Sequence, residues 1–286
     1  MIPSTFDYFA PAALDEALSL LSEHGDNAKI LAGGHSLIPA MRLRLAQPGV
    51  LIDIKGLRSQ LSYIKEEGGR IKLGAMTNYY SLETSDLLKQ KAPILPEAAS
   101  TIGDVQVRNW GTIGGSTVHA DPSSDLPAVL LALDASVTLK SSKSERVVAL
   151  SDFFVSILTT SIEPSEILTE ISFPTPAGKK TSYKKLANKA SHFSVVGAAA
   201  IIGVDGNGVC TSAAIGFSGL AAVPMRSAVV ENALVGKKLD VATIEAACSG
   251  SAADVDALSD LHGSQEYRRA MADVFAKRAI KAALAS

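Results

Sequence analysis

Cysteine is scarce in this 286-residue chain: Cys210 and Cys248 stand alone and far apart. That spacing excludes a disulfide framework and a thiolate-held metal, and both residues read as small buried hydrophobes. An excess of charge of one sign is lacking too. The 27 Lys and Arg nearly balance the 29 Asp and Glu, for a formal net charge of -2, and the densest basic stretch is the two doublets Lys179-Lys180 and Lys184-Lys185. Nucleic acid and anionic membranes therefore find no electrostatic footing. Long hydrophobic runs are also missing. Apolar stretches are broken by Gly, Asp and Ser, and the opening MIPSTFDYFAPAALDEA has neither a basic leader nor an apolar core of signal-peptide length, so a cytoplasmic location is expected. Five histidines are present, His24, His35, His119, His192 and His262, but no pair has the i, i+4 spacing of a helical zinc site. Tandem repeats and low-complexity segments are absent.

What is present suits two or three modest cores in an α+β arrangement, with 47% hydrophobic and 20% charged residues. Residues 11–23 place Leu14, Ala17, Leu18 and Leu21 at helical spacing behind a proline, with Gly25 as a stop. AKIL and VLIDI read as brief buried strands, and LSYIKEEGGRIKLGAM alternates on both sides of Gly68-Gly69 as a hairpin does. Residues 77–100 read as helical, the glycine-rich segment 111–115 as a loop, and SSDLPAVLLALDA as a further helix. Pro174 and Pro176 mark a domain junction near residue 176. Beyond it come β-rich runs with a DGNG turn, and then helices with apolar spacings of three and four. An antiparallel sheet covered by helices follows from that pattern.

Two glycine-rich stretches carry chemistry. LAGGHSL, residues 31–37, follows a strand, and its Gly33-Gly34 pair lets backbone N–H groups converge without Cβ obstruction, as a nest for phosphate oxygens requires. On its own a double glycine in a turn is more often just a turn. Neither the GxGxxG of a dinucleotide fingerprint nor the Lys of a P-loop is there. The second stretch, residues 107–135, sets Gly111, Gly114 and Gly115 among Thr112, Ser116, Thr117, His119, Asp121, Ser124 and Asp125. Two such loops can grip one pyrophosphate from both sides with neutral backbone donors and no metal. Asp125, just ahead of a helix, can cap that helix or accept from a ribose or adenine group.

Taken together, LAGGHSLIPAMRLRLAQPGVLIDI and VRNWGTIGGSTVHADPSSDLPAVLLALDA resemble the FAD-binding medium subunit of molybdenum hydroxylases, the family of carbon monoxide dehydrogenase medium subunits and xanthine dehydrogenase FAD subunits. The similarity runs essentially end to end, including KKLANKASHFSVVGAAAII and EYRRAMADVFAKRAI. It implies a two-subdomain FAD-binding fold of the vanillyl-alcohol-oxidase and MurB type over residues 1–176, with subdomains of about 1–57 and 58–176. A C-terminal flavoprotein domain over 177–286 completes it.

Carried over by position, the resemblance implies that Ala32, Gly33, Gly34, His35 and Ser36 bind the FAD pyrophosphate from one side, and Thr112, Gly114, Gly115 and Ser116 from the other. Asp125 is implied in contact with the adenosine half. Ile102 and Gly103 would lie against the cofactor, Lys185 near the flavin region, and Phe193 at the isoalloxazine, where carbon monoxide dehydrogenases have Tyr. His192 stands where many relatives carry Asp, and Ser116 where they carry Asn.

The implied role is an electron relay. A large subunit holds the molybdenum cofactor and a small subunit holds two two-iron two-sulfur clusters, in a heterotrimer that is itself doubled. This chain's FAD passes electrons on to NAD, a quinone or another acceptor. No catalytic acid or base of its own stands out in the sequence, as direct substrate chemistry at a flavin ordinarily needs. The alternative is a standalone FAD-dependent oxidase or reductase of the same fold, which predicts turnover without partners.

Overall fold

The computed structural model describes residues 2–286. The first region holds β1 (Asp7–Phe9), α1 (Leu14–His24), β2 (Ala28–Leu31), α2 (Leu37–Arg42), β3 (Val50–Asp53) and α3 (Arg58–Leu61). Its three strands form a small all-parallel sheet in the order β1-β3-β2. Helix α1 presents Ala17, Leu18 and Leu21 to that sheet, and it stops at Gly25, whose φ of 51° is open to glycine at no steric cost. A core of Leu18, Ile52, Ile54 and Leu57 results, and Met76 and Ile167 of the next region join it.

That next region contains β4 (Ile64–Glu67), β5 (Arg70–Gly74), α4 (Tyr79–Thr84), α5 (Asp86–Lys91), α6 (Ile94–Ser100), α7 (Val105–Trp110), α8 (Ile113–His119), α9 (Asp125–Ala132), β6 (Ser136–Lys140), β7 (Glu145–Ala149), β8 (Phe154–Ser156), β9 (Thr159–Thr160) and β10 (Ile167–Pro174). Gly68 and Gly69, at φ 60° and 73°, turn the β4–β5 hairpin. An antiparallel sheet in the order β4-β5-β10-β6-β7 forms behind the helices.

The glycine-rich segment differs from its sequence reading as a loop. Ile113–His119 is helical, and both glycines lie in its first turn. Glycine disfavours a helix by about 1 kcal/mol relative to alanine, and here tertiary packing overrides that preference. A Cβ on Gly114 would sit 2.6 Å from the Ala75 side chain and 2.7 Å from its carbonyl oxygen. The Thr112 hydroxyl caps the helix by accepting from the Gly115 amide at 3.1 Å.

The last region comprises β11 (Lys180–Ala187), β12 (Ser194–Val204), β13 (Cys210–Ser218), β14 (Met225–Arg226), α10 (Ala228–Leu234), α11 (Val241–Cys248) and α12 (Gln265–Ala285). Its four strands run antiparallel in sequence order, with the DGNG turn between β12 and β13. Strand β12 is buried on both faces, so its alternation divides residues between two cores. Ala198, Ala200 and Ile202 pack with α12, while Ala199 and Ile201 join the core of the middle region with Leu126 and Val129 of α9. No described helix is long and apolar enough to cross a membrane.

Arg268 of α12 locks the start of this sheet. Its side chain is 1% exposed, and its guanidinium donates to the carbonyls of Val195 and Gly219 at 2.5 and 2.6 Å and to the Asp260 carboxylate at 2.7 Å. Replacing it with Met orphans two buried carbonyls, so Arg268→Met should lower unfolding stability by about 2–4 kcal/mol. Urea denaturation of the two proteins checks this, and equal midpoints would contradict it.

Candidate functional site

Strand β2 leaves the parallel sheet at Leu31, and the chain turns through Ala32–Ser36 into α2. Such crevices beyond the carboxyl ends of parallel strands are where open α/β sheets bind ligands. Each glycine of the turn has its own reason. A Cβ on Gly33 would lie 2.2 Å from the Trp110 carbonyl oxygen, so the turn rests directly on the backbone ahead of α8. Gly34 has φ +74°, a left-handed conformation that side-chain-bearing residues rarely adopt. Among the described residues, the amides of Gly33, Gly34, His35 and Ser36 donate to no protein acceptor. The His35 ring Nδ1 lies 3.0 Å from the Gly33 carbonyl, which steadies the turn.

The second glycine segment faces the first, but not as a matching set of amide donors. Gly114 N–H donates to the Ala75 carbonyl at 2.9 Å, Gly115 N–H to the Thr112 hydroxyl, and Ser116 N–H to the Thr112 carbonyl at 3.0 Å. Among the described residues the run of four unbonded amides therefore belongs to residues 33–36, and Thr112 is the one residue of 112–116 whose N–H donates to no protein acceptor. The α8 side brings a smooth backbone surface and the Ser116 side chain, with an ideal Gly115 Cβ only 3.8 Å from that of Ala32. Buried Tyr79 lies beside Ser116, and burial pushes its hydroxyl up to about 12.

Between these segments lies a cavity of about 620 Å³, within the range for a small-molecule or cofactor site. It is bounded by residues 32–37, by α8, by the strand end at Ile167-Leu168 and by the segment Ser191–Phe193. Thirteen of the fourteen residues expected from the sequence line it: Ala32, Gly33, Gly34, His35, Ser36, Ile102, Gly103, Thr112, Gly114, Gly115, Ser116, Asp125 and Phe193. Lys185 does not. The apolar wall contributed by Ile54, Met76, Val107, Val118, Leu158 and Ile162 was not foreseen from the sequence. These residues come from six separate elements and loops, and no local spacing links them.

Asp125 departs from the capping role considered for it. It is the first residue inside α9, whose N-cap Ser124 makes no side-chain cap. Its carboxylate is 5% exposed and accepts from the Tyr183 hydroxyl at 2.5 Å and from Lys185 Nζ at 2.9 Å. Burial raises the Asp125 pKa, with Lys185 opposing, and burial with the neighbouring Asp125 charge drives the Tyr183 hydroxyl well up. The second buried carboxylate of the cavity wall, Glu166, is held below the usual range. Arg146 grips it in a two-point bond at 2.6 and 2.7 Å, and the Glu163 amide adds a third at 2.8 Å. Both buried carboxylates are thus committed to cations.

His119 and His192 also line the cavity, whereas His262 pairs with Asn188 and His24 stacks on Phe9. Cys210 and Cys248 are unpaired and buried, and burial pushes the Cys248 thiol up to about 12. Among the described residues no three His, Cys, Asp or Glu side chains cluster as metal ligands would. Four unbonded amides on one glycine turn beside a roomy, largely apolar cavity fit a pyrophosphate flanked by two ring systems, which is the chemistry of FAD.

Comparison with known proteins agrees with that fit. Residues 4–176 match the family described as FAD binding domain in molybdopterin dehydrogenase, and residues 181–283 match the CO dehydrogenase flavoprotein C-terminal domain. The carbon monoxide dehydrogenase medium chain of Afipia carboxidovorans is 39% identical over 286 residues, covering 100% of this chain and 99% of its own. The glyceraldehyde dehydrogenase medium chain of Sulfolobus acidocaldarius is 38% identical, covering 98% and 99%. Among solved structures, carbon monoxide dehydrogenase from Hydrogenophaga pseudoflava, lacking the Mo-pyranopterin moiety of its cofactor, superposes with a TM-score of 0.95 at 39% identity, covering 100% of this chain and 99% of that one.

Two outcomes follow from the geometry. Gly34→Val puts a β-branched residue at φ +74° with its Cβ 2.6 Å from Ile38 Cδ1. It should weaken FAD binding roughly tenfold or more, about 1.4 kcal/mol per decade, whereas Cys248→Ala should leave flavin content unchanged; a folded Gly34→Val protein with full flavin would contradict this. The second concerns pH. Glu166 has a lowered folded pKa, so its ion pair stabilises the fold above the ordinary glutamate value, about 4.3, and that stabilisation disappears as pH falls through the folded value. Urea midpoints of wild type and Arg146→Met should therefore differ most at neutral pH and converge in acid.

Proposed function

This chain belongs to the family of FAD-binding medium subunits of molybdenum hydroxylases, and on that premise we propose that it is the flavin relay of such a complex, carrying electrons from iron–sulfur clusters of a partner subunit to an external acceptor. FAD is the cofactor of this chain, and the chain is a flavoprotein subunit of an oxidoreductase. Bound flavin supplies a carrier that exchanges electrons singly or in pairs, which links one-electron clusters to a two-electron acceptor.

The observation that carries this reading is the gathering of the two glycine segments and Phe193 around one cavity whose buried carboxylates are already spent on cations. In our reading, the amides of Gly33, Gly34, His35 and Ser36 donate to the pyrophosphate oxygens, with Thr112 and Ser116 alongside. Gly114 and Gly115 keep α8 flush with Ala75 so that the ligand can approach. Ile102 and Gly103 form an edge that meets the C-terminal region through His192, and Asp125 belongs to the wall bonded to that region through Tyr183 and Lys185. The apolar lining excludes water, and Phe193, 48% exposed, stands at the mouth. With Asp125 and Glu166 held by Lys185 and Arg146, neither is free to move protons for a bound substrate.

The partners in this proposal are a large subunit with the molybdenum cofactor and a small subunit with two two-iron two-sulfur clusters, assembled as a dimer of heterotrimers. NAD, a quinone or another oxidant serves as acceptor. Residues 1–176 form the FAD-binding domain, divided near residue 57, and 177–286 the C-terminal domain. The unpaired thiols of Cys210 and Cys248 support a reducing, cytoplasmic setting.

Affinity purification of the tagged chain from its own cells tests the proposal. Flavin absorbance accompanied by iron–sulfur bands, molybdenum and two further chains is the expected result. A lone yellow protein that turns over a substrate would move the assignment to a standalone oxidase or reductase.

A further inference from the structure

Lys185 is the one expected site residue outside the cavity wall, and its contacts explain why. It projects from β11 opposite Gly197 of β12, with a side chain only 5% exposed. One Nζ hydrogen bond goes to Asp125 Oδ2 at 2.9 Å and a second to the main-chain carbonyl of His192 at 2.7 Å. Asp125 is itself anchored through Tyr183, whose hydroxyl lies 3.1 Å from the Ser218 hydroxyl inside the sheet. Lys185 therefore ties a rigid, buried anchor to an exposed segment.

The segment it holds is a closed turn. Asn188 N–H donates to the Phe193 carbonyl at 2.8 Å and His192 N–H to the Asn188 carbonyl at 2.9 Å, while Asn188 Oδ1 accepts from the amides of Ala190 and Ser191. His192 has φ +58°, a conformation that a residue with a Cβ keeps only when its surroundings impose it. Two bonds do so. Lys185 takes its carbonyl, and its ring Nδ1 lies 3.1 Å from the Gly103 carbonyl across the cavity. That far side is fixed in turn, because Arg108 donates to the Ile102 carbonyl at 3.0 Å and pairs with Glu83 at 2.8 Å.

We propose that Lys185 is a positioning residue: from outside the cofactor cavity it holds the segment 188–193 as a strap across the mouth, latched at its far end by His192 on Gly103, so that Phe193 governs access to the bound flavin. This rests on the flavin reading of the cavity, but the strap itself is independent of it. Lys185 has no role as a cofactor ligand in this arrangement; its charge is spent on Asp125 and its reach on the strap.

Hydrogen exchange of residues 188–193 in the flavin-free full chain, paired with FAD affinity and iodide quenching of flavin fluorescence in the loaded chain, tests it. Lys185→Met should speed exchange across the strap by about tenfold and raise the quenching constant about threefold with FAD affinity changed less. Lys185→Arg, which keeps charge and reach, should restore both readouts. His192→Ala leaves the Lys185 bonds intact and should also speed the exchange by opening the far latch, and unchanged exchange in it overturns the strap even where Lys185→Met does not fold. Unchanged exchange in the folded variants overturns the proposal. Loss of FAD affinity with unchanged exchange also overturns it, by making Lys185 a cofactor ligand. A wild-type chain that binds no FAD refutes the flavin reading instead, and the exchange measurement still decides the strap.

Discussion

The contact between the Gly33 α-carbon and the carbonyl of Trp110 is the constraint on which the rest of the site depends. Any side chain at residue 33 would have to occupy space 2.2 Å from that oxygen, so only glycine lets the turn after β2 lie on the backbone that leads into α8. The same logic repeats one layer deeper, where Gly114 rests on Ala75. Three segments distant in sequence are thereby stacked main chain on main chain. The amides of residues 33–36 are left without protein partners beside the cavity, while those of Gly114 and Gly115 are consumed in holding the stack together. Donor supply is one-sided because the second glycine segment is spent on architecture.

The Lys185–Asp125 ion pair plays the corresponding part between the middle and C-terminal regions. Burying two charges costs several kcal/mol of hydration for each ion, and removing one partner of such a pair costs about 3–5 kcal/mol. A hydrophobic pair would fill the same space without that cost, but it would hold no carbonyl. Asp125 starts α9, Lys185 lies on β11, and Tyr183 and Ser218 extend the bonding into the sheet, so the pair fixes the relation between a helix of one region and a sheet of the other. The shared packing of Ala199 and Ile201 with α9 gives that relation its apolar support.

Much of this was legible in the sequence where a rule is local. The Leu14–Leu21 spacing gave α1, Gly68-Gly69 gave the β4–β5 hairpin, and DGNG gave the β12–β13 turn, each because period or turn chemistry acts over a few residues. The helix at Ile113–His119 was not legible, since its glycines argue against a helix until Ala75 is known to press on them. Asp125 as the partner of Lys185 was equally hidden, because sixty residues separate the two and a carboxylate next to a helix start looks locally like a cap. The apolar cavity wall is also non-local, and only the fold assembles it.

The most direct test follows the backbone amides of Gly33, Gly34, His35 and Ser36 by amide-resolved NMR of the full chain as FAD is added. The account predicts that these four resonances shift most and gain protection from exchange at one equivalent of FAD, while Gly114 and Gly115, already bonded, respond far less. Saturable FAD binding that leaves residues 33–36 unperturbed, or that perturbs only the α8 segment, would contradict it.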